Sequence, residues 1–237
     1  MVPDPAEAKM RIAFIAADRM EFPRFLKRAT AVKPSPLPVD WAREVTLGGH
    51  ECLLAVNGVG PARAAAAAKA AIETFRPDAV VSTGCCGALS PVLGIGDLVS
   101  ANCVVGDGVN FVAKTLPGVL DGSIRSVTYV AATAQQKREL AANGAIAVEM
   151  EAAGVAAEAM RQSLPFYCIR AVTDLAGETM ANDFNMALRP DGHFDTMRIL
   201  REALHRPSTR LPELLRLRER CNRAAGALGD FFADSRF

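Results

Sequence analysis

Residues 79–87 read Ala-Val-Val-Ser-Thr-Gly-Cys-Cys-Gly. An apolar run leads into two adjacent cysteines that lie between glycines, a pattern typical of a buried strand followed by a glycine-rich segment. We expect a central strand over Ala79–Thr83. The segment after this strand has two interpretations: a metal or redox site, or a backbone cradle in which the thiols are incidental.

Apolar strand-like runs and helix-like runs alternate on both sides of this stretch. Strands are predicted at Arg11–Ala17, Leu98–Val105 and Leu164–Val172, and alanine-rich helices at Ala62–Phe75 and Met150–Arg161. Continuous apolar strands separated by helices are typical of a sheet that is covered on both faces. The pattern therefore predicts an α/β fold, a three-layer αβα sandwich around a mixed, largely parallel sheet.

Two segments interrupt this alternation. Val32–Asp40 carries three prolines and is expected to be a loop, and Tyr129–Ala132 is a candidate short strand. We assign residues 1–10 to a loose tail and residues 11–237 to a single domain, because the chain is long enough to bury one substantial core.

Composition excludes several classes of function. The chain is 50% hydrophobic and its net charge is only +1, so no overall attraction to nucleic acid is expected. No apolar run approaches the ~20 residues that span a bilayer, and the N-terminus does not resemble a signal peptide. The six cysteines and three histidines show no zinc-type spacing. These features indicate a cytoplasmic protein with reduced thiols and no metal site.

Acidic residues follow three of the predicted strands. Glu21 comes shortly after the first strand, Glu149 and Glu151 lie in an apolar context, and Asp174 ends the strand that begins at Leu164. Each has a structural alternative, a first-turn helix acid or a turn aspartate. In parallel sheets, however, strand ends converge on one ligand site. Two carboxyl groups on opposite sides of a bond are what glycosidic cleavage requires.

Two glycine-rich segments offer backbone N–H groups to a ligand. They are Ser82–Gly87 and the stretch Asn-Gly-Val-Gly-Pro-Ala-Arg at residues 57–63. Neither matches the GxGxxG or GxxxxGK[ST] pattern, which argues against dinucleotide binding and against a P-loop. Both segments remain compatible with backbone contacts to an anion or to a sugar oxygen.

The order of these motifs resembles the purine nucleoside phosphorylase/uridine phosphorylase superfamily. The motifs are IAFIAA with a glutamate after it, NGVGPARAA, VVSTGCCGAL, GIGDLV, AVEMEAAGVA and FYCIRAVTDLAGE. Within that superfamily they are most similar to the methylthioadenosine/S-adenosylhomocysteine nucleosidases. The resemblance spans roughly residues 11–178, with a poorly matching part at about 106–143, and it rests on the combination of motifs.

The resemblance implies cleavage of the N-ribosidic bond of a purine nucleoside, with adenine as the base and no cofactor. Asp174 would be the catalytic acid at purine N7 and, with Thr173, would bind the base. Glu21 would orient or deprotonate the attacking water. The ribose would be bound by three consecutive residues, Glu149, Met150 and Glu151.

The nucleophile end of the site is where the sequence departs from the family pattern. The resemblance places Gly84, Cys85 and Gly87 there, but Cys85 stands where relatives carry serine. Ser82 stands where hexameric phosphorylases place a phosphate-binding arginine, which favours water over phosphate as the nucleophile. Arg19 and Arg63 are possible substitute cations, so phosphorolysis is the alternative. Two alternatives belong to other functional classes: a nucleoside-binding protein without catalytic activity, and a redox or metal protein.

The C-terminal part carries a second resemblance. Two segments, residues 188–192 and 205–229, are similar to the nucleoside phosphorylase-like proteins of hopanoid biosynthesis, which implies adenosylhopane as a substrate. Residues 195–234 form a predicted helical extension with breaks near Pro207 and at Pro212. An amphipathic helix pair packed on the domain is the favoured interpretation, and a surface that approaches a membrane is the alternative. The family also implies a homo-oligomer, a dimer or larger.

Overall fold

The computed structural model describes residues 9–237, so residues 1–8 of the predicted tail lie outside the described part. Within residues 9–237, ten strands form one mixed sheet. Their bounds are β1 Arg11–Ala16, β2 Thr30–Pro34, β3 Trp41–Leu47, β4 His50–Val56, β5 Ala79–Ala88, β6 Leu98–Gly106, β7 Val109–Val112, β8 Leu120–Ser126, β9 Ala145–Glu149 and β10 Phe166–Asp174.

Helices lie on both faces of this sheet, and a 3₁₀ turn, Arg19–Glu21, follows β1. The helix bounds are α1 Pro23–Arg28, α2 Pro61–Phe75, α3 Ala134–Ala141, α4 Ala152–Arg161, α5 Phe184–Ala187, α6 Thr196–Ala203 and α7 Pro207–Asp234. In the described part of the chain, no helix combines the length and the apolar composition needed to cross a bilayer.

The sheet closes on itself over half of its width. The strand order is β10-β6-β8-β9-β5-β1-β4-β3-β2, and β10 also pairs with β5. Strands β5, β9, β8, β6 and β10 therefore form a closed ring, from which β1, β4, β3 and β2 extend as an open sheet. The strands at the centre, β4, β1, β5 and β10, run parallel to one another. The predicted α/β fold with a mixed sheet is confirmed, and the ring is a feature that the sequence did not reveal.

Two apolar layers hold the three-layer sandwich together. Side chains from alternate positions of the central strands pack against α2 and α4 on one face, and against α1 and α7 on the other. Within β1, Ala13 and Ile15 belong to the first layer, whereas Ile12 and Phe14 belong to the second. This period of two explains why the central strands read as continuous apolar runs: both faces are buried.

Strand β5 differs from our expectation because it does not end at Thr83. It continues through the glycines and cysteines to Ala88. Both of its edges are paired there: Arg170 of β10 lies opposite Gly84, and Val148 of β9 lies opposite Gly87. The glycine-rich segment that we expected to follow the strand is therefore part of the paired strand itself.

Two further expectations about the chain are wrong. Part of the predicted loop 32–40 belongs to β2, an exposed strand at the edge of the sheet that ends at Pro34. Proline is tolerated there because the outer side of an edge strand has no neighbouring strand to accept a backbone N–H. The predicted strand Tyr129–Ala132 has no regular structure, and the neighbouring β8 supplies the strand.

The C-terminal segment forms two helices, and the predicted break at Pro207 coincides with the start of the second. The expected break at Pro212 is wrong, because α7 continues through it. Pro212 is the sixth residue of that helix, so its missing N–H removes one hydrogen bond near the helix start. Further along, α7 buries Ala224, Leu228 and Phe232 against the sheet.

Helices α2 and α4 pack unusually closely at Gly154. A Cβ atom at this position would lie 1.9 Å from the carbonyl oxygen of Pro61, the first residue of α2. Gly154 therefore sets the distance between α2, which follows the Asn57–Gly60 turn, and α4, which follows the Glu149–Glu151 segment. Any side chain would push these two segments apart.

We predict that Gly154→Ala lowers the free energy of unfolding by about 1–3 kcal/mol, the usual cost of overpacking. Gly226→Ala is the matched control, because Gly226 lies inside α7 and a Cβ atom added there would have nothing within 4 Å. The control should raise stability by about 0.5–1 kcal/mol, since alanine is the better helix residue. Urea denaturation followed by circular dichroism measures both, and equal stability of the two variants would contradict the close-packing argument.

Candidate active site

The ends of four strands meet at one cavity of about 390 Å³. The turn after β1, the distal part of β5, the end of β9 and the end of β10 all contribute to its wall, as expected from the sequence. The polar, thiol and glycine part of the lining, with one methionine, includes Glu21, Cys85, Gly87, Glu149, Met150, Glu151, Thr173, Asp174 and Cys221. Gly84 lies behind this wall, next to Glu21.

A fully buried arginine, Arg170 of β10, supports the acidic side of the cavity. Its Nη1 donates to the backbone oxygen of Thr83 at 2.9 Å and lies 3.4 Å from Glu151 Oε2. Its Nη2 donates to Ser82 Oγ at 2.7 Å and forms an ion pair with Glu149. A buried guanidinium is stable only when charged partners surround it, and the same carboxylates raise the pKa of Arg170 above its ordinary value against the opposing effect of burial.

The two glutamates at the end of β9 differ in what they contact. Glu149 Oε2 accepts hydrogen bonds from the backbone N–H groups of Glu151 and Ala152, both at 2.8 Å, so this carboxylate caps the start of α4. Glu151 Oε1 accepts from the backbone N–H of Gly60 at 3.1 Å. Helix capping, our alternative interpretation of these acids, therefore applies to Glu149. Both residues nevertheless line the cavity.

Glu151 has an unusual charge environment. Burial raises its pKa to about 7, Arg170 opposes this shift, and the nearby Glu149 and Glu21 carboxylates add to it. A carboxyl group poised near neutrality holds or releases a proton at little cost. This is a property of active sites more often than of structural ion pairs.

Glu21 is held rigidly by backbone donors from two elements. Its Oε2 accepts from the N–H groups of Ala17 and Asp18 at 3.0 and 3.1 Å, and its Oε1 accepts from the N–H of Cys85 at 2.8 Å. Burial raises the pKa of Glu21, while the positive charge of Arg170 acts in the opposite direction. The carboxylate thus joins the turn after β1 to the middle of β5.

Gly84 makes this junction possible. Its φ is +130°, and a Cβ there would lie 2.3 Å from Glu21 Oε1. Any other residue would displace the carboxylate and strain the backbone. The glycine next to the cysteines is therefore required by the approach of Glu21. The cradle interpretation of the Ser82–Gly87 segment expected a ligand oxygen there, and the backbone instead receives a carboxylate of the protein.

Asp174 lies on another part of the cavity wall, just after an irregularity in β10. Thr173 Oγ1 donates to Asp174 Oδ1 at 3.1 Å. The buried ammonium of Lys137, from α3, donates to Asp174 Oδ2 and to the backbone oxygen of Leu175. Burial raises the pKa of Asp174, and Lys137 partly offsets this. Gly87 leaves room for the carboxylate, since a Cβ there would lie 2.7 Å from Asp174 Oδ2.

The two adjacent cysteines point to opposite faces of β5. Cys86 belongs to the layer beneath α2 and α4, as expected of a small core residue, and Cys85 packs on the other layer; both also border the cavity. All six cysteines are free. Among residues 9–237, no group of three or more His, Cys, Asp and Glu side chains is arranged to hold a metal ion.

Comparison with known proteins identifies the family. A model of the phosphorylase superfamily matches residues 11–118 and 119–205. The chain belongs to the phosphorylase superfamily. The resemblance inferred from the motifs is thereby confirmed. The match extends through the middle segment, 106–143, where the motifs alone carried little resemblance.

Similar members of the superfamily are nucleosidases. The 5'-methylthioadenosine/S-adenosylhomocysteine nucleosidase of Geobacillus kaustophilus is 32% identical over 60% of this chain and 74% of its own length. The enzyme of the same name from Geobacillus thermodenitrificans is 31% identical over 60% of this chain and 74% of its length.

Two solved structures share the fold of this chain. The S. pneumoniae 5'-methylthioadenosine/S-adenosylhomocysteine nucleosidase superposes with a TM-score of 0.70 at 19% identity, covering 95% of this chain and 99% of that one. Helicobacter pylori futalosine hydrolase gives 0.69 at 17% identity, covering 92% and 96%. At this identity the likeness concerns the fold alone.

Three residues of the site escaped the sequence reasoning. Arg170 had a detectable signal, because it is the one charged residue in the apolar stretch from Phe166 to Thr173. Lys137 had none, since it lies in a polar helix, Ala134–Ala141, where a solvent-exposed lysine is expected. Cys221 comes from α7, far along the chain, and only the folding of that helix over β5 brings it to the cavity.

We predict that Arg170→Leu lowers the free energy of unfolding by about 3–5 kcal/mol, because it leaves Glu149 and Glu151 as unpaired buried carboxylates. The control is Arg28→Leu, which removes a partly exposed arginine paired with Asp234 and should cost about 1 kcal/mol or less. Thermal and urea denaturation compare the two variants. A similar small loss in both would show that Arg170 does not balance the buried charge.

Proposed function

We propose that this protein hydrolyses the N-ribosidic bond of a purine nucleoside and releases the free base, with adenine as the preferred base. The observation that carries the proposal is the meeting of buried carboxyl groups from separate strand ends, Glu21, Glu151 and Asp174, on the wall of one cavity. Cleavage of a glycosidic bond needs an acid for the leaving group and a base for the nucleophile. The nucleosidase relatives support the same reaction class.

Asp174 is the catalytic acid in this proposal. Its burial favours the protonated form, which is the form that donates to purine N7 and makes the base a better leaving group. The hydroxyl of Thr173 fixes the orientation of the carboxyl group and borders the base. Lys137 acts through Asp174 as a positioning residue.

Glu151 accepts the ribose 2′- and 3′-hydroxyls in this proposal, and Met150 packs against the sugar. Glu149 contributes mainly by fixing the start of α4 and by sharing Arg170 with Glu151. As the bond breaks, the ribose gains oxocarbenium character. Carboxylates held in a cavity away from water stabilise that positive charge.

Glu21 is the base that activates the attacking water. Three backbone N–H groups hold the Glu21 carboxylate in one orientation. The lone pairs that these bonds do not use therefore point in a fixed direction, and this lowers the entropic cost of positioning the water. Gly84 leaves the room that the Glu21 carboxylate occupies at this end, Gly87 leaves room for Asp174 further along β5, and Cys85 borders the cavity between them. A thiol is a weaker hydrogen-bond partner than the serine hydroxyl of relatives, so Cys85 contributes less to holding the nucleophile.

Water is favoured over phosphate because of the charges around the cavity. Among the described residues, no arginine or lysine side chain lines it. Arg170 is engaged with protein acceptors, and Arg63 Nη1 donates to the backbone oxygen of Asn57. Arg19, the other candidate cation, is exposed and is not among the lining residues. A phosphate dianion would face carboxylates without a compensating cation.

The second resemblance refines the substrate proposal to a nucleoside with an apolar 5′ substituent, such as adenosylhopane. Apolar side chains support it, since Met20, Met180 and Phe194 belong to the same cavity wall. Assembly into a homo-oligomer and approach to a membrane surface stay predictions.

Replacing the proposed acid tests this function. Asp174→Asn should abolish adenine release from methylthioadenosine or adenosine without loss of fold, because an amide cannot donate the required proton. Asp121→Asn, at an exposed position on β8, is the control and should retain activity. Liquid chromatography of released adenine, with circular dichroism as the fold check, gives both readings; full activity of Asp174→Asn would disprove the assignment.

The same assay separates hydrolysis from phosphorolysis. We expect adenine release in phosphate-free buffer to equal that in buffer with added inorganic phosphate, and free ribose product rather than ribose 1-phosphate. Strict dependence on phosphate would overturn the preference for water. No adenine release under either condition, together with nucleoside binding by calorimetry, would favour the non-catalytic alternative.

Lys137 provides a pH test of the acid. The substitution Lys137→Met removes a positive charge and should raise the pKa of Asp174 further. Asp174 then keeps its proton to higher pH, so the alkaline limb of the kcat profile should shift to higher pH. Arg138→Met, at the exposed neighbouring position, should leave the profile unchanged. An unshifted alkaline limb in Lys137→Met would show that the lysine has only a structural role.

A further inference from the structure

Two thiols from distant parts of the chain lie together at the nucleophile end of the cavity. Cys85 belongs to β5 and Cys221 to α7, and both line the cavity beside Glu21. The helix packs directly on the strand, and the two thiols are close enough for each to shift the pKa of the other. Both side chains are half-buried, so a small solute in the cavity reaches them.

The two thiols are chemically unequal. The interaction with Cys85 lowers the pKa of Cys221, whereas Cys221, burial and the Glu21 carboxylate raise the pKa of Cys85. Burial and the Glu21 and Asp174 carboxylates oppose the shift at Cys221. Cys221 is therefore the member of the pair with thiolate character, and the thiolate is the reactive form of cysteine.

Other cysteines nearby are placed differently. Cys86 points into the opposite layer of the core, so its thiol faces away from Cys85 despite their adjacency. Cys52 and Cys168 are buried, and burial raises the pKa of each to about 12. Thiols of that kind are inert toward oxidants in water.

We propose that Cys85 and Cys221 form an oxidation-sensitive dithiol, which hydrogen peroxide converts to a disulfide that closes the cavity beside Glu21. The Cys221 thiolate attacks one peroxide oxygen, the O–O bond breaks, and the departing hydroxide takes a proton to become water. Cys221 is then a sulfenic acid. The Cys85 sulfur attacks the Cys221 sulfur, the S–O bond breaks, and a second water leaves. In total, two thiols lose two protons and two electrons, and peroxide is reduced to two waters.

The location gives this disulfide a consequence for the site. The backbone N–H of Cys85 holds Glu21 Oε1, so the modified residue is in direct contact with the proposed base. A disulfide would tie Cys85 of β5 to α7 and fix both side chains across the end of the cavity where the attacking water binds in this proposal. This consequence rests on the proposed function, whereas the formation of the disulfide does not.

Peptide mapping tests the disulfide itself. The full chain is treated with hydrogen peroxide, alkylated under non-reducing conditions, digested and analysed by mass spectrometry. We expect a peptide pair that joins Cys85 to Cys221, lost on reduction with dithiothreitol. Cys221→Ser should abolish the pair, and Cys103→Ser, a control on β6, should leave it unchanged. Failure to detect the pair in the unsubstituted chain, or a link between Cys85 and Cys86 instead, would overturn the proposal.

Activity is measured on the same samples. Adenine release should fall in proportion to the fraction of chains that carry the Cys85–Cys221 link, and dithiothreitol should restore it. Full activity in a fully linked sample would refute closure of the cavity. Because the mapping needs no turnover, a chain without nucleosidase activity that still forms the link would contradict the proposed function and leave the dithiol site intact.

Discussion

The charge balance around Arg170 is the constraint on which the site depends. One guanidinium, without solvent exposure, contacts Glu149, Glu151 and the residues Ser82 and Thr83 of β5. Burying charges is costly unless each has partners, so this cluster tolerates little rearrangement. The cluster also couples three strand segments, since it links the end of β9 and the middle of β5 to β10. The acids of the cavity therefore have fixed positions in the absence of any ligand.

Glycines provide the space that these charged groups need. Gly84 allows Glu21 to approach β5, and Gly87 allows Asp174 to lie against the same strand further along. Strand β5 thus separates two carboxyl groups that have different partners: backbone N–H groups for Glu21, a lysine and a threonine hydroxyl for Asp174. Different environments for two acids in one cavity are what a division into acid and base requires. The two cysteines between those glycines then acquire different roles according to the face of the strand on which each one lies.

Much of the fold followed from local patterns. The apolar runs of β1, β5 and β10, and the small-residue helices between them, specify a sheet buried on both faces, because no other arrangement covers such strands. The convergence of Glu21 and Asp174 was also predictable, since β1, β5 and β10 are parallel and their carboxyl ends meet at one edge. Glu149 and Glu151 reach the same cavity from β9, which pairs antiparallel with the end of β5. The expected loop at Pro34 and the expected helix break at Pro212 were wrong for the same reason. Each proline removes a single backbone donor, and neighbouring strands or turns, which the local sequence does not specify, decide whether that donor is needed.

The sequence by itself determined which acidic residues line the cavity and which strands present them, because residue type and the period of burial are local properties. Only the tertiary structure decided how these groups are charged and paired. Lys137 approaches Asp174, and Cys221 approaches Cys85, across separations of 37 and 136 residues along the chain. The closure of β10 onto both β5 and β6 likewise depends on long-range pairing. Such contacts arise from the packing of whole helices and strands, and electrostatic energies depend on distance and burial, which no local pattern encodes.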